Sequence, residues 1–420
     1  MAGSAPVAPD LTRVHYRQLD GLRGIAIIMV MLYHFSLLHP QSLTSDAGIV
    51  LQALHFGWMG VDLFFVLSGF LITGILLATR SHTHYFRNFL ARRFLRIWPL
   101  YYLTLATFFI VLPVVGFVPT EMATMISKQT WFWLYGANWL FAIEGGFNRT
   151  SGGYFWSLAV EEQFYIVWPF IVYLLSSRDL LKVAATLLAF SFVSRIVLVA
   201  TGTSTSSLYA MTFTHLDGLA VGAILAICSQ SKDLASLSQR LAPWVLLSTS
   251  IVLAIIVASD GNALFWSPFM AAFGYTVIAG LFGALLVCSL RPADRSMWSG
   301  TLRSRFLVAA GRYSYALYLI HVPVAALVSR AVAKSLNLLG APLPDGLTVT
   351  IVALVSFATC WLLSMLSWRI VESPILALKA YFPYTTEDRL EASAIPAGER
   401  QALFAPATDR TDARTGVDSK

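Results

Sequence analysis

Apolar residues gather into long runs separated by short polar segments. The runs at 22–38, 57–78, 94–115, 154–175, 181–201, 208–229, 244–259, 266–290, 306–329 and 347–371 are each close to the roughly 20 residues a helix needs to cross a hydrocarbon core. A further stretch, 131–143, is shorter and predicts an interfacial or re-entrant helix. The expected fold is all-α: a polytopic membrane protein of about ten transmembrane helices. From about Thr385 the chain turns polar and loses apolar periodicity. The domain reading is a cytoplasmic N-terminal segment (1–21), a membrane domain (22–374) and a disordered cytoplasmic tail (375–420). No internal repeat and no second globular domain is visible.

Composition agrees with this pattern. Of the 420 residues 57% are hydrophobic and 12% charged, about half the charged share of a soluble domain. A water-soluble protein, a disordered chain and a collagen are excluded. The three cysteines, Cys228, Cys288 and Cys360, each lie inside an apolar run, so they read as buried thiols without metal or redox spacing. The net charge is +7, and in a membrane protein such an excess marks cytoplasmic loops rather than a nucleic-acid partner. With the N-terminus in the cytoplasm, the inner segments hold Arg13, Arg17, Arg80, Arg87, Arg92, Arg93, Arg178, Lys182, Lys232, Arg240, Arg291, Arg295, Arg303 and Arg305. The outer ones hold Lys128, Arg149, Arg330 and Lys334. Counting 131–143 as a span would invert everything after it and spoil this bias, so both ends are placed inside. The N-terminus is not a cleavable signal, because Arg23 and His34 interrupt its first apolar run.

Charged side chains within spans are costly and mark functional sites by default. Arg23 sits at the inner end of the first span, and His34 follows roughly 16 Å further out on nearly the same face. By the same rise per residue, Asp62, Glu161, Glu162, His215, Asp217 and His321 reach the layer of His34. Each alone has a structural explanation, and one of two adjacent glutamates usually points away from its neighbour. Together they predict one solvated polar cavity within the bilayer. Gly69 and Gly74 are candidate breaks in the second span. Near the inner face, Arg23, Arg93, Arg96 and Arg312 form a second group, with Arg93 and Arg96 three apart on one helix face. Guanidinium groups fork onto phosphates. A polyanion site inside and an acid/base site roughly 15 Å further out suit a ligand with phosphates and a long thin arm, such as an acyl-CoA.

These residues carry a resemblance. Leu19-Asp20-Gly21-Leu22-Arg23-Gly24 with His34, Phe64-Phe65-Val66-Leu67-Ser68-Gly69-Phe70, Arg93-x-x-Arg96, Trp156-Ser157-Leu158-Ala159-Val160-Glu161-Glu162-Gln163-Phe164-Tyr165, His215-Leu216-Asp217-Gly218-Leu219, and Gly311-Arg312-Tyr313-Ser314-Tyr315 continuing to His321 occur in order. The chain resembles the acyltransferase-3 family of membrane acyltransferases. The resemblance implies ten spans in a bacterial inner membrane, an acyl-CoA (most simply acetyl-CoA) taken from the cytoplasm, and acylation of a hydroxyl. The acceptors it implies are glycans (lipopolysaccharide O-antigen, exopolysaccharide or periplasmic glucan), with a macrolide or other small molecule as the alternative. Some relatives carry a fused extracytoplasmic hydrolase-like domain; this chain is expected to lack one.

For such a reaction a general base must take the acceptor proton, and neutral His34 is the candidate. Glu161, Glu162 or Asp62 would orient its ring and stabilise the imidazolium. Arg23, Arg93, Arg96 and Arg312 would hold the phosphates of the co-substrate. Ser68, Tyr165, His215, Asp217 and His321 are substrate or oxyanion candidates. No metal is called for. Direct transfer is preferred to an acyl-enzyme on His34 or Ser68. The rival reading is a proton-coupled transporter or flippase, since intramembrane His, Asp and Glu also build proton relays; the missing repeat counts against it.

Overall fold

The computed structural model describes residues 16–37, 54–118, 120–147, 152–260, 265–291, 299–340 and 343–384. The N-terminal segment before Tyr16 and the polar tail from residue 385 lie outside them. All regular structure among the described residues is helical. In chain order the helices are α1 (Arg17–Ser36), α2 (Gly60–Thr79), α3 (Tyr85–Ala106), α4 (Thr120–Ser127), α5 (Gln129–Trp133), α6 (Ala137–Ile143), α7 (Phe155–Leu174), α8 (Ser177–Ala200), α9 (Thr205–Ala210), α10 (Asp217–Ser229), α11 (Lys232–Asp260), α12 (Tyr275–Ser289), α13 (Ser299–Leu302), α14 (Arg305–Leu339) and α15 (Asp345–Ser367). A π turn, Thr107–Val111, prolongs α3, and another, Met270–Gly274, precedes α12.

By length and composition, eight of these segments are able to cross a membrane. Two expected spans differ from the rest. The fourth is α7, 20 residues long, whose mean hydropathy is lowered by Glu161, Glu162 and Gln163. The sixth, read as one run from 208 to 229, is broken: α9 stops at Ala210 and only the 13 residues of α10 are helical. Thr214 Oγ1 closes the break, lying 2.5 Å from Leu208 O and 2.9 Å from Met211 O. Those are carbonyls that a helix end leaves without an amide. The stretch 131–143 is two short helices, α5 and α6, and Asn138 on α6 is fully buried against α7 and the α9 break. The third span starts earlier than expected, at Tyr85, so Arg87, Arg92, Arg93 and Arg96 are helical.

The outer faces are apolar. Along α11, Leu237, Leu241, Trp244, Leu247, Ile251 and Ile255 form one exposed stripe. In a bilayer such a face contacts lipid tails.

Close backbone contact sets the central helices. A Cβ at Gly24 would stand 2.1 Å from Leu307 O, and one at Gly311 would stand 1.9 Å from Asp20 O. Small residues let helices in lipid approach this far, where packing rather than water drives association. α1 and α14 therefore run side by side and parallel, with Asp20 opposite Gly311 and His34 opposite His321. Each carries an arginine, Arg23 or Arg312, inward of its histidine. α2 and α10 pair the same way: a Cβ at Gly69 would be 2.1 Å from Leu219 O, and one at Gly222 2.2 Å from Val66 O. The expectation that Gly69 or Gly74 breaks the second span is thus overturned; α2 is continuous and Gly69 is a helix contact.

Past α15 the chain continues as a π turn (Trp368–Glu372), a short helix (Ser373–Ala377) and a 3-10 turn (Leu378–Tyr381). Asn88 and Arg92 donate to Pro383 O and Phe382 O at 2.6 and 3.1 Å, and the Arg92 guanidinium lies 4.2 Å from the Tyr384 ring. Residues 375–384, assigned from sequence to the polar tail, instead pack against α3.

Candidate active site

An inner cavity of about 390 Å³ opens between α1, α2, α3, α7, α14 and the turn after α15. Along one wall Ser68 Oγ donates to Glu161 Oε1 at 2.7 Å and accepts from Tyr165 OH at 2.9 Å. A mid-helix serine ordinarily back-bonds to its own helix, but Ser68 of α2 is turned instead toward α7. Trp98 Nε1 of α3 donates to Glu162 Oε2 at 3.2 Å. The two adjacent glutamates diverge, one toward α2 and the other toward α3, as their helical offset requires. Both nevertheless line the cavity, because it reaches around that face of α7.

Arg23, Arg93, Arg96, Arg312 and Lys379 also line this cavity, against the carboxylates Asp20, Glu161 and Glu162. Arg23 pairs with Asp20 at 3.1 Å, and Arg96 with the buried Glu372 at 3.3 Å. Arg93, Arg312 and Lys379 have no carboxylate partner among the described residues, and Arg93 Nε is buried without an acceptor. Trp368 lies 5.9 Å from both the Arg96 and Arg312 guanidiniums. The four expected arginines therefore share one concave surface with positive charge to spare. Sequence reasoning missed Trp368 and Glu372, at the end of the last expected span, and Lys379, in the segment taken for the start of the tail.

A second cavity, of about 380 Å³, lies further along α1. It is lined by His34 and by aromatic rings, among them Trp58, Trp156, Tyr209, Phe265 and Trp266, with no Asp, Glu, Lys or Arg among the described residues. Val61 and Tyr318 line both cavities. Tyr318 is held between them: its OH donates to Tyr154 O at 2.9 Å and stands 2.5 Å from Ser157 Oγ. The single pocket expected for all seven ionisable residues is thus divided in two by a wall. The expected carboxylate beside His34 is replaced by other partners. His34 Nδ1 is 2.9 Å from Val30 O and 3.3 Å from His321 Nε2.

Like His321, the remaining three ionisable residues line neither cavity. Asp217, at the start of α10, is gripped by Arg195 of α8, a fully buried arginine that contacts both carboxylate oxygens. Ser191, Thr276 and the carbonyl of Thr214 complete the cluster. Asp217 is thereby a brace that ties α8, α10 and α12 together, not an oxyanion group. Asp62 and His215 face each other at 3.6 Å, with the His215 ring enclosed by Phe65, Trp156, Tyr209 and Tyr275. Arg195 was missed, although a charge inside the fifth apolar run is the signal that marked the others.

Residues 16–365 match the acyltransferase domain that defines the acyltransferase-3 family. The chain belongs to this family. Among curated relatives it is 28% identical over 379 residues to a peptidoglycan O-acetyltransferase of Listeria monocytogenes, which covers 87% of this chain and 56% of that protein. It is 31% identical over 382 residues to a putative peptidoglycan O-acetyltransferase of Bacillus subtilis, covering 85% and 54%. An O-acetyltransferase of Staphylococcus aureus is 27% identical over 377 residues, covering 85% and 56%. The chain therefore spans about half the length of the curated relatives it matches. No solved structure matches it. In this acyltransferase-3 chain, the motif residues named above divide by location: Arg23, Ser68, Arg93, Arg96, Glu161, Glu162, Tyr165 and Arg312 surround the inner cavity, and His34 reaches the outer one. Together with the apolar helices, family membership makes this a multi-pass membrane protein.

Proposed function

We propose that the protein is a membrane O-acyltransferase that moves an acyl group, most simply acetyl, from cytoplasmic acyl-CoA to a hydroxyl of a glycan reaching it from the opposite face. The observation that carries this reading is the pair of cavities set end to end. One has unneutralised arginines and a lysine; the other has an imidazole among aromatic rings. The first suits phosphates, because Arg93, Arg312 and Lys379 are held in no ion pair among the described residues and can offer charge-assisted donors. The second suits a sugar, which presents apolar faces to rings and hydroxyls to a base. The printed names of the relatives, peptidoglycan O-acetyltransferases, support acetyl as the group and a surface glycan as the acceptor class.

The chemistry follows from the named atoms. Val30 O requires a proton on His34 Nδ1, which leaves Nε2 with the free lone pair. Nε2 takes the acceptor proton as the alkoxide attacks the thioester carbon. The tetrahedral intermediate then expels the CoA sulfur, and His34 returns the proton to it. For the two substrates to meet, the thioester arm displaces Tyr318 from the wall it forms with Val61. Ser68, Glu161 and Tyr165 lie along the arm's course and supply polar partners for its amides. The positive-inside bias sets the CoA side as cytoplasmic.

The test is CoA release from acetyl-CoA by the purified protein in lipid nanodiscs, together with mass spectrometry of surface glycans from cells with and without the gene. Expected is acceptor-stimulated CoA release, and a loss of about 10²- to 10⁴-fold in His34→Ala. Glycan acetylation that is indifferent to the gene, with no thioester cleavage in vitro, would sink the proposal and favour a transporter.

A further inference from the structure

We propose that His321 is the positioning residue of His34, holding its ring in the tautomer that leaves Nε2 basic and stabilising the imidazolium formed during transfer. The inference rests on the proposed function, and it assigns the role that a carboxylate fills in other His-based sites. Three contacts set the proton positions. His321 Nδ1 lies 2.7 Å from Tyr318 O, and a carbonyl accepts only, so that nitrogen carries the hydrogen. His321 Nε2 is then an acceptor, and it faces His34 Nδ1 at 3.3 Å. His34 Nδ1 also faces Val30 O at 2.9 Å. One N–H on His34 Nδ1, shared between Val30 O and His321 Nε2, satisfies every atom, and no other neutral arrangement does.

The order of the two rings follows from access. His34 lines the outer cavity, whereas His321 does not and is fully buried behind it. The buried ring is also rigidly placed. Pro323 lacks an amide, so Leu319 O on α14 loses its helical partner. Tyr154 OH takes that carbonyl at 2.9 Å, and the Tyr154 ring stands 5.4 Å from His321. The other ring contacts of the pair among the described residues are the uncharged rings of Tyr33 and Tyr318, at 5.1 Å from His34 and 5.6 Å from His321. The nearby carboxylates are engaged elsewhere: Glu161 with Ser68, Glu162 with Trp98, and Asp62 opposite His215. A neutral partner holds the tautomer without the strong pull toward the protonated ring that an adjacent carboxylate exerts.

The experiment uses the full chain in nanodiscs with acetyl-CoA and the unacetylated form of the glycan that the mass spectrometry identifies, comparing His321→Leu, His321→Gln and His321→Asp. His321→Leu removes the acceptor, and kcat should fall about 10- to 100-fold, a part of the roughly 10²- to 10⁴-fold that a positioned base supplies, with the acetyl-CoA KM unchanged. His321→Gln offers an amide oxygen to His34 Nδ1 and should recover most of that loss. His321→Asp should move the pH–rate profile to higher pH, because a carboxylate beside His34 favours its protonated form. Wild-type kcat and pH profile in His321→Leu would overturn the proposal. If that variant does not fold, a His321→Asp profile superimposable on wild type overturns it equally. A wild-type protein that never cleaves acetyl-CoA would instead defeat the functional reading itself.

Discussion

Gly311→Ala tests whether backbone contact between α1 and α14 sets the cationic site. The added carbon would lie 1.9 Å from Asp20 O. Carbon and carbonyl oxygen rest at roughly 3.3 Å, so the helices must part by about 1.4 Å at that point. Asp20 O is main chain, so no rotamer can yield. Alanine is the better helix former by about 1 kcal/mol, whereas inserting a methyl into a closed contact costs about 1–3 kcal/mol and occasionally more. The contact is far inside van der Waals distance, so overpacking should win. The damage is also directional: Asp20 holds Arg23 at 3.1 Å, and Arg312 follows Gly311 in sequence. Parting the helices moves these two arginines away from each other. In detergent or nanodiscs the variant should show a lowered Tm, by about 1 °C per kcal/mol for a chain of this size, and a raised acetyl-CoA KM. Gly346→Ala is the control, because a Cβ there meets nothing within 4 Å, and its Tm should not fall. A Gly311→Ala protein with wild-type Tm and unchanged acetyl-CoA dependence would refute the packing argument.

Other substitutions separate binding from architecture. Arg93→Ala and Arg312→Ala each remove an arginine of the inner cavity that has no carboxylate partner. Each should raise the acetyl-CoA KM about 10- to 100-fold, the worth of one or two charged hydrogen bonds, while leaving the acceptor KM alone; initial-rate kinetics with each substrate varied would show this. Arg195→Leu strands the Asp217 carboxylate in a buried site and should cost about 3–5 kcal/mol. That loss would be seen as poor expression and a large drop in Tm, partly restored by adding Asp217→Leu.

Much of the fold was legible because the bilayer demands long apolar runs and rejects stray charge. Those two rules locate α1, α2, α3 and α14 and pick out Arg23, His34, Arg93, Arg96 and Arg312 without any structure. Depth counted at a fixed rise per residue also places His34 opposite His321, since both helices are continuous between their arginine and histidine. What depth alone does not give is azimuth. Asp62, His215 and Asp217 share the layer of His34 yet face other helices, so one expected pocket became two cavities and a brace. The break at residues 211–216 was hidden because the run of apolar residues around it continues on both sides; side chains, Thr214 within it and Asn138 and Arg195 from other helices, take the carbonyls that the break frees. Lys379 and Trp368 escaped notice for other reasons. Lys379 follows Pro374 and borders a polar stretch, where nothing local distinguishes a packed end from the beginning of a tail, and Trp368, in the last turns of an apolar run, reads as one more ring of an interfacial belt. Arg195 was a failure of application rather than of principle.

The wall made by Val61 and Tyr318 bears on how such an enzyme coexists with an energised membrane. An uninterrupted aqueous tube through the lipid would let ions run down their gradients, each elementary charge dissipating about 2.3 kcal/mol per 100 mV. Two blind chambers back to back avoid that leak. On the proposed function the thioester arm fills the opening it makes when it displaces Tyr318, as in an airlock whose doors are substrates, and the cell's electrical insulation would stay intact at every turnover.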